Sequence, residues 1–429
     1  SEIKSFLCWS EFSKDVDKAA LLETLIYLWT PAPRTIFTHV RKLLPGESLT
    51  ICVDKTNSIS SLMDIKPEFN IEGMKEDDLI GILQKQLYSS VQSQLVSDVP
   101  VGAFLSGGLD SSSIVAMAER NGRRISRCYT INYAEGRKWE GMVNDLFYAR
   151  KIAKHIGVEC IEIPLRESVC SRVREMIWHL DEPQADLAPL NVLLISEAAR
   201  RNGDYVLLSG TGGDDIFSGY RRHIALRNEQ LWSWLPFSAR NGLRLLTKFF
   251  PSSQPFGRRL QKLFEYSQLA PDERLLRYFA WISDKYARTL LHDDICKELE
   301  NHDPFEVMRN ALSSYNSGDG RLNKMLFLDT RYFLTDHNLN YTDKMGMACG
   351  IEIRVPLIDI DLVRLVRKIP SSLKVRKLTA KYIFKRAMEP FLPKDVIYRP
   401  KTGFVAPVRE WISGPLRNHV RDVLSPESL

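Results

Sequence analysis

An α/β fold is predicted, a parallel twisted sheet with helices on both faces followed by a mostly helical part. Three observations predict it. Short apolar runs of strand length alternate with helical patterns between Val101 and Ile216, the arrangement that covers both faces of a parallel sheet. Two glycine-rich stretches, Ser106-Gly107-Gly108 and Gly210–Gly213, each follow such a run, at the carboxyl ends of strands where ligands of these sheets sit. Beyond residue 228 the strand signals fade and the chain reads as helical.

The elements follow in order. Ala19–Trp29 is helix-like, and Thr35–Val53 reads as strands around the Pro45-Gly46 turn, so residues 1–56 look like the tail of another domain. Asn57–Gly73 is polar and poorly periodic, and 57–75 is read as a linker. Met74–Val96 has Leu79, Ile82, Leu83, Leu87, Val91 and Leu95 at helical spacing. The opening strand then runs into VGAFLSGGLDSSS. Strands follow at Ile125–Tyr133, Cys160–Pro164 and Asp204–Ser209, with helices at Val143–Ile156, Val169–His179, Leu190–Arg201 and from Ile216. Later helices are read at Leu326–Leu334, Leu362–Ile369 and Tyr382–Met388.

In the first loop, adjacent glycines let the backbone turn sharply and approach a ligand. Its N–H groups and the next helix N-terminus converge on one point that suits a phosphate. No Gly-Lys-Ser/Thr follows, so it is not a Walker A loop. The stretch resembles the PP-loop of ATP pyrophosphatases. A Gly-Gly turn with a Ser-rich helix cap is the plainer alternative.

Composition narrows the classes. The chain has 429 residues, 44% hydrophobic and 26% charged, values of a globular protein. No apolar run approaches the roughly 20 residues of a membrane span. With no N-terminal signal pattern, a cytoplasmic location is expected. The seven cysteines, Cys8, Cys52, Cys128, Cys160, Cys170, Cys296 and Cys349, are scattered without a CxxC pair, so buried reduced thiols are expected. A net charge of +6 is too mild over this length to argue for nucleic acid. Between Arg240 and Lys262 six basic residues occur with no acid, interleaved with Leu and Phe. The solvated face of a helical hairpin is expected there, a membrane-surface or anionic-substrate patch being the alternative. The chain begins at Ser1 in mid-pattern, so a fragment of a longer product is expected.

Four segments together resemble the synthetase domain of the asparagine synthetase family: SGGLDS, SGTGGDDIFSGYRRH (Ser209–His223), DKMGMACGIEIRVPLID (Asp343–Asp359) and RPKTGF (Arg399–Phe404), in the family's order over residues 76–413. The resemblance implies an adenine nucleotide alpha hydrolase-like fold. Residues 19–52 look like the end of the family's Ntn-type glutaminase domain. The family's N-terminal nucleophilic Cys has no counterpart, since Cys8 is not in that context, and no glutamine hydrolysis by this chain is expected.

The chemistry implied is amide formation with ATP and Mg²⁺. A carboxylate attacks the α-phosphorus of ATP, giving an acyl-adenylate and pyrophosphate, and ammonia or an amine then displaces AMP. By resemblance, Ser106, Gly107, Gly108 and Ser111 bind pyrophosphate, and Asp110 and Asp214 hold Mg²⁺. A helix N-cap is the alternative for Asp110. Leu105, Ile131, Ser209 and Gly210 line the adenosine site, and Lys401 neutralises charge on the α-phosphate. Glu352, Arg354 and Asp359 are expected as a buried ionic network.

Thr211 stands where asparagine synthetases carry a Glu that handles the amine's protons, a position that is not acidic in β-lactam synthetases. The acceptor therefore stays open: aspartate, a sugar uronate, or a peptide or β-lactam precursor cyclised as in lasso-peptide cyclases. NAD- and GMP-synthetase-like enzymes lack the RPKTGF and EIRVP elements. A nucleotide-binding protein without catalysis is the alternative class. Expected partners are a small-molecule carboxylate and ammonia, free or from a glutaminase domain. A homodimer is left open, and neither nucleic acid nor membrane contact is expected.

Overall fold

The computed structural model describes all residues except 1, 53–56, 62–68, 121, 123–124, 134–144, 248, 252–253, 316–319, 401–407 and 426–429. Its first regular helix, α1 (Lys18–Tyr27), is capped by Asp17, whose carboxylate accepts the Ala20 N–H. Strands β1 (Glu47–Ile51) and β2 (Asn57–Ser61) follow as an antiparallel hairpin. This corrects two expectations: one strand, not two, lies between residues 35 and 53, and its partner lies in the stretch read as a linker. The sequence of β2, Asn-Ser-Ile-Ser-Ser, conceals a strand because Ile59 is its one residue of a type enriched in strands.

Helix α2 (Glu76–Gln94) starts on three acids, Glu76, Asp77 and Asp78, which suit its positive end. It buries Leu79, Leu83, Leu87 and Val91 along one stripe. The chain then enters the main sheet: β3 (Val101–Phe104), α3 (Leu109–Glu119), β4 (Cys128–Tyr133), α4 (Asp145–Ile156) and β5 (Cys160–Leu165). After α5 (Val173–Leu180) and α6 (Ala188–Arg201) come β6 (Val206–Leu208), α7 (Gly213–Phe217) and α8 (Arg221–Asn228). A fifth strand, β7 (Glu352–Arg354), was hidden in the part expected to be helical.

All five strands are parallel, in the spatial order β5-β4-β3-β6-β7. The chain winds outward from β3 in one direction and returns through β6 in the other. The order therefore reverses between β3 and β6, and a crevice opens there at the carboxyl ends. Both glycine-rich loops leave from this pair of strands.

One face of the sheet is covered by α2, α3, α4 and the segments Ile360–Lys368 and Tyr382–Met388. The other is covered by α6 and Asn340–Ala348. A third apolar cluster joins α1 and Trp29 to residues 275–333, so the N-terminal helix packs on the helical part. Within that part, Gly320–Leu328 and Asn340–Ala348 are joined by a π-helix over Asp329–Leu339. Its wider turn carries buried Asp329, His337 and Asn338.

No described helix is long and apolar enough to cross a membrane. All seven cysteines are free, but Cys8 and Cys52 are exposed, which corrects the expectation that all are buried.

Candidate active site

The first loop folds because its glycines meet two different demands. Gly107 has φ +65°, and a methyl group there would lie 2.5 Å from the Ala149 nitrogen, so α4 leaves no room for a side chain. Gly108 is instead the N-cap of α3 and is open apart from Ser106 and the Arg399 guanidinium. The glycine that approaches a neighbouring backbone is thus Gly107, and the one facing the crevice is Gly108. Around it, Ser106 Oγ lies 3.1 Å from Ser111 Oγ, and the Gly108 N–H donates to Ser106 Oγ at 3.3 Å. These are long neutral bonds, weaker than the charge-assisted bonds the same donors could give a phosphate oxygen.

The second loop touches the first. A methyl group on Gly210 would meet the Ser111 nitrogen at 2.7 Å, and one on Gly213 would meet Asp110 Oδ1 at 2.5 Å. Gly212 has φ +92° and lies against Ile358, leaving no space for a side chain. Ser209, which donates its N–H to the Arg354 carbonyl at 2.8 Å, joins β6 to β7. Its hydroxyl is 2.9 Å from Thr211 Oγ1 and accepts the Thr211 N–H at 3.3 Å. Thr211 therefore stands at the mouth of the crevice with a hydroxyl, not a carboxylate. Leu105, the first residue past β3, Ile131 on β4 and Ser209, the first residue past β6, are all buried.

Asp110 lies in the first turn of α3, and Asp214 in the first turn of α7. Asp110 is not the cap. Its carboxylate takes both oxygens to one ammonium: Lys381 Nζ lies 2.5 and 2.6 Å from them. The same Nζ is 2.6 Å from Asp214 Oδ1. Burial opposes the charge on Lys381, yet Asp110 and Asp214 outweigh it and hold its pKa above the usual lysine value. The two expected metal carboxylates are therefore within reach of a single cation. The backbone braces them, since a methyl group on Gly219 would overlap Asp214 Oδ1. Among the described residues no set of three or more His, Cys, Asp or Glu could hold a metal ion. Two carboxylates with remaining positions for phosphate oxygens and water is a donor set that fits Mg²⁺.

Sequence reasoning missed Lys381. It sits among Lys374, Lys377 and Lys385 with nothing in its neighbourhood to single it out, and its φ of +55° is visible only in the fold. Arg399 was also passed over, although it opens the RPKTGF segment. Its guanidinium pairs with Asp145 at 2.9 Å and lies over the Tyr148 ring. It thereby ties the chain just before Lys401 to α4 and the first loop. Lys401 itself lies outside the described residues.

Behind the second loop is a buried polar network. Tyr220 donates to Asp215 at 3.2 Å and accepts from Asn338 at 3.0 Å. The Tyr220 N–H donates to His223 Nδ1, so His223 Nε2 carries the proton and donates to Asp329 at 2.6 Å. Arg222 pairs with the other Asp329 oxygen. Burial alone would raise the Asp329 pKa, but Arg222 and His223 reverse it to a lowered value.

The expected ionic network of Glu352, Arg354 and Asp359 is not buried. Glu352 is exposed beside Arg354 at 2.8 Å, and Arg354 also donates to the Gln94 and Val96 carbonyls. Asp359 caps Ile360–Lys368 by accepting the Asp361 and Leu362 N–H groups. Glu352 and Arg354 thus lie on the edge strand β7, and Asp359 serves the helix that follows.

A doubly wound parallel sheet with two glycine-rich loops at its switch point defines an α/β protein of the nucleotide-binding class. The chain belongs to the asparagine synthase family, whose model matches residues 83–429. It is 30% identical to an asparagine synthetase [glutamine-hydrolyzing] 1 of Bacillus subtilis, over 99% of this chain and 64% of that one. A putative asparagine synthetase [glutamine-hydrolyzing] of Mycobacterium bovis is 28% identical, over 94% of this chain and 60% of its own length. Amidase chyE of Penicillium rubens is 26% identical over 100% of this chain and 67% of that protein. The chain thus spans 64% and 60% of the length of the first two. Among solved structures, an NH3-dependent NAD synthetase of Campylobacter jejuni aligns with a TM-score of 0.23 and 12% identity, covering 46% of this chain and 98% of that one.

Proposed function

We propose that the chain is an ATP-dependent amide-forming ligase that adenylates a carboxylate and passes ammonia or an amine to it. The observation that carries this reading is the convergence of Asp110 and Asp214 on one cation position, between two loops whose N–H and hydroxyl donors face the same crevice. A binding module would need the loops but not paired, braced carboxylates.

In this reading Ser106, Gly108 and Ser111 hold the β- and γ-phosphates by donation, while Gly107 keeps the loop pressed on α4. Asp110 and Asp214 hold Mg²⁺, which when bound neutralises charge on the departing pyrophosphate. Leu105, Ile131, Ser209 and Gly210 bound the adenosine. The substrate carboxylate attacks the α-phosphorus, the bond to the pyrophosphate oxygen breaks, and an acyl-adenylate remains. The amine then attacks the acyl carbon and AMP leaves. Lys401 is assigned to charge growing on the α-phosphate, where a fixed ammonium helps the transition state more than bound ATP.

Residues 1–61, through the β1–β2 hairpin, are assigned to the end of a glutaminase-type domain and 76–429 to the synthetase. Aspartate, with an ammonia donor, is the first acceptor to consider, since two relatives named as asparagine synthetases are 30% and 28% identical to this chain. Thr211 favours a second reading. A hydroxyl at neutral pH does not take protons from an amine as a carboxylate does, so another carboxylate substrate is in view.

The test uses the purified chain with ATP, Mg²⁺, ammonium and a panel of carboxylates that includes aspartate and uronates. Pyrophosphate and amide product are followed separately. Carboxylate-dependent release of AMP and pyrophosphate is expected. Thr211→Glu should change the amide yield while leaving pyrophosphate release nearly intact. Hydrolysis of ATP to ADP, or no carboxylate dependence with any acceptor, refutes the ligase reading.

A further inference from the structure

His337 is a buried titratable side chain that the adenylation chemistry above does not use. Its tautomer is fixed by a chain of hydrogen bonds that starts at Asp215. The Asp215 carboxylate accepts, so the Tyr220 hydroxyl donates to it. Tyr220 Oη must then accept, and the Asn338 amide turns Nδ2 toward it at 3.0 Å. That leaves Asn338 Oδ1 facing His337 Nδ1 at 2.9 Å. An amide oxygen cannot donate, so Nδ1 carries the imidazole proton and Nε2 a lone pair. Phe333 stacks on the ring with centroids 4.9 Å apart, and Trp29 and Tyr341 pack on it edge-on, which holds its orientation. Burial outweighs the pull of Asp186 and of the Asn338 bond, and together with Arg222 it holds the His337 pKa below the ordinary histidine value, so the ring is neutral.

Nε2 faces Asp186 Oδ2 at 3.6 Å, too far for a hydrogen bond and, in this tautomer, one acceptor facing another. The other Asp186 oxygen accepts the Ala188 N–H at 2.9 Å. Among the described residues nothing donates to Nε2 or to Oδ2. Two more acceptors of this stretch, Gln184 Oε1 and Asn191 Oδ1, are buried with no donor. Gln184 is tied to the same π-helix, since its Nε2 donates to the His337 carbonyl at 3.1 Å. Buried acceptors left unpaired are costly unless a donor comes from outside the fold.

Chain direction puts the pair at the open end of the sheet. Helix α6 leads into β6 and Asn340–Ala348 into β7, and both strands run parallel to β3. Both helices therefore start at the carboxyl ends, where Asp186 precedes one and His337 the other. Asn191 agrees with this placement: its Nδ2 donates at 3.3 Å to the hydroxyl of Tyr133, the last residue of β4. The bonds through Asn338 and Tyr220 join the pair to Asp215, next in the chain to Asp214.

We propose that Asp186 and His337 bind the incoming nitrogen nucleophile, an ammonium ion or a primary amine, between them. Such a group gives one N–H to Nε2 and one to Oδ2. An ammonium ion first releases one proton to solvent, and the neutral amine attacks the acyl carbon. The C–N bond forms, the bond from that carbon to the AMP oxygen breaks, and AMP leaves with the electron pair. One N–H proton passes to His337 Nε2, and Asp186 faces the resulting imidazolium and stabilises it. The fold thus offers, from other elements, the proton acceptor that the Thr211 hydroxyl cannot be. The proton transfer rests on the ligase reading above; the binding of an N–H donor does not.

Binding is tested without turnover. The full chain carries isotope-labelled histidine, its ring nitrogens are followed by NMR, and His337→Gln assigns the resonances of His337 among the eight histidines. At about pH 7.5, above the ordinary histidine range, the ring should be neutral with its proton on Nδ1. Methylammonium chloride should shift Nε2. Tetramethylammonium chloride at the same ionic strength has no N–H and should not. Asp186→Asn keeps an oxygen for the Ala188 N–H and should melt like the parent, yet weaken the methylammonium response by about tenfold or more. A proton on Nε2, equal responses to the two cations, or no response to methylammonium (a resident water only) overturns the proposal. Turnover then tests the proton transfer. With ATP, Mg²⁺, ammonium and a carboxylate that supports pyrophosphate release, Asp186→Asn and His337→Gln should each cut the amide formed per pyrophosphate by roughly 10². An unchanged ratio in both variants overturns the transfer and leaves the ligase reading standing. No carboxylate-dependent pyrophosphate release in the parent overturns the ligase reading, and the titration still decides the binding site.

Discussion

Replacing Lys381 by methionine removes the ammonium but keeps the length of the side chain. The three contacts at 2.5, 2.6 and 2.6 Å then vanish, and Asp110 and Asp214 face each other without their shared cation. At an effective dielectric constant near 20, each unit-charge pair about 4 Å apart is worth ~4 kcal/mol before desolvation. Removing one partner of a buried pair costs about 3–5 kcal/mol. The carboxylates are 21% and 22% exposed, so water screens part of this, and a net loss of about 2–3 kcal/mol is expected. Over 429 residues the unfolding entropy is ~0.9 kcal/mol/K, so the melting point falls by roughly 2–3 °C.

The informative part is the response to Mg²⁺ without nucleotide. In the parent, the metal must first displace Lys381. In Lys381→Met the carboxylates are open to it, and Mg²⁺ at about 100 times its dissociation constant should return ~2.7 kcal/mol. Melting curves in EDTA and in a Mg²⁺ series measure both effects. A large upward shift is expected for Lys381→Met and a small one for the parent. Equal shifts in the two proteins, or a variant that melts like the parent in EDTA, would refute the shared-site reasoning.

Two further outcomes are expected. Lys401→Ala should leave ATP affinity within a few fold and cut carboxylate-dependent pyrophosphate release by roughly 10²–10³; loss of ATP binding with turnover spared would remove the role given to Lys401. Burial pushes Asp336 up to about 6 from an ordinary 3.8, against the pull of Lys42 and the Ala32 N–H. The native state then binds the extra proton between these values, so this group's contribution to stability falls as pH rises from about 4 to 6. Asp336→Asn should lack that slope and gain up to about 3 kcal/mol at pH 7, read from denaturant midpoints across pH. A parallel pH profile for parent and variant would refute it.

The alternation of strands and helices from Val101 to Phe217 was legible because each element carries its own period, and the loops because glycine pairs mark turns. The motif segments named most of the candidate site: Ser106, Gly107, Gly108, Asp110, Ser111, Thr211 and Asp214 all lie in or beside one crevice. Strand β7 was not legible, because three residues between a helix and a turn carry too short a pattern and pair only by joining β6. Lys381 was not legible either, since it meets Asp110 across 271 residues of chain and no local feature marks it. The same holds for the helix Phe237–Thr247, where only packing decided that Arg240 turns to the Ser267 carbonyl while Leu245 and Leu246 are exposed. Local pattern thus determined the elements and the loop chemistry of this protein. Strand order, the meeting of the two loops and the lysine between their carboxylates were decided by tertiary structure, because each depends on partners distant in the chain.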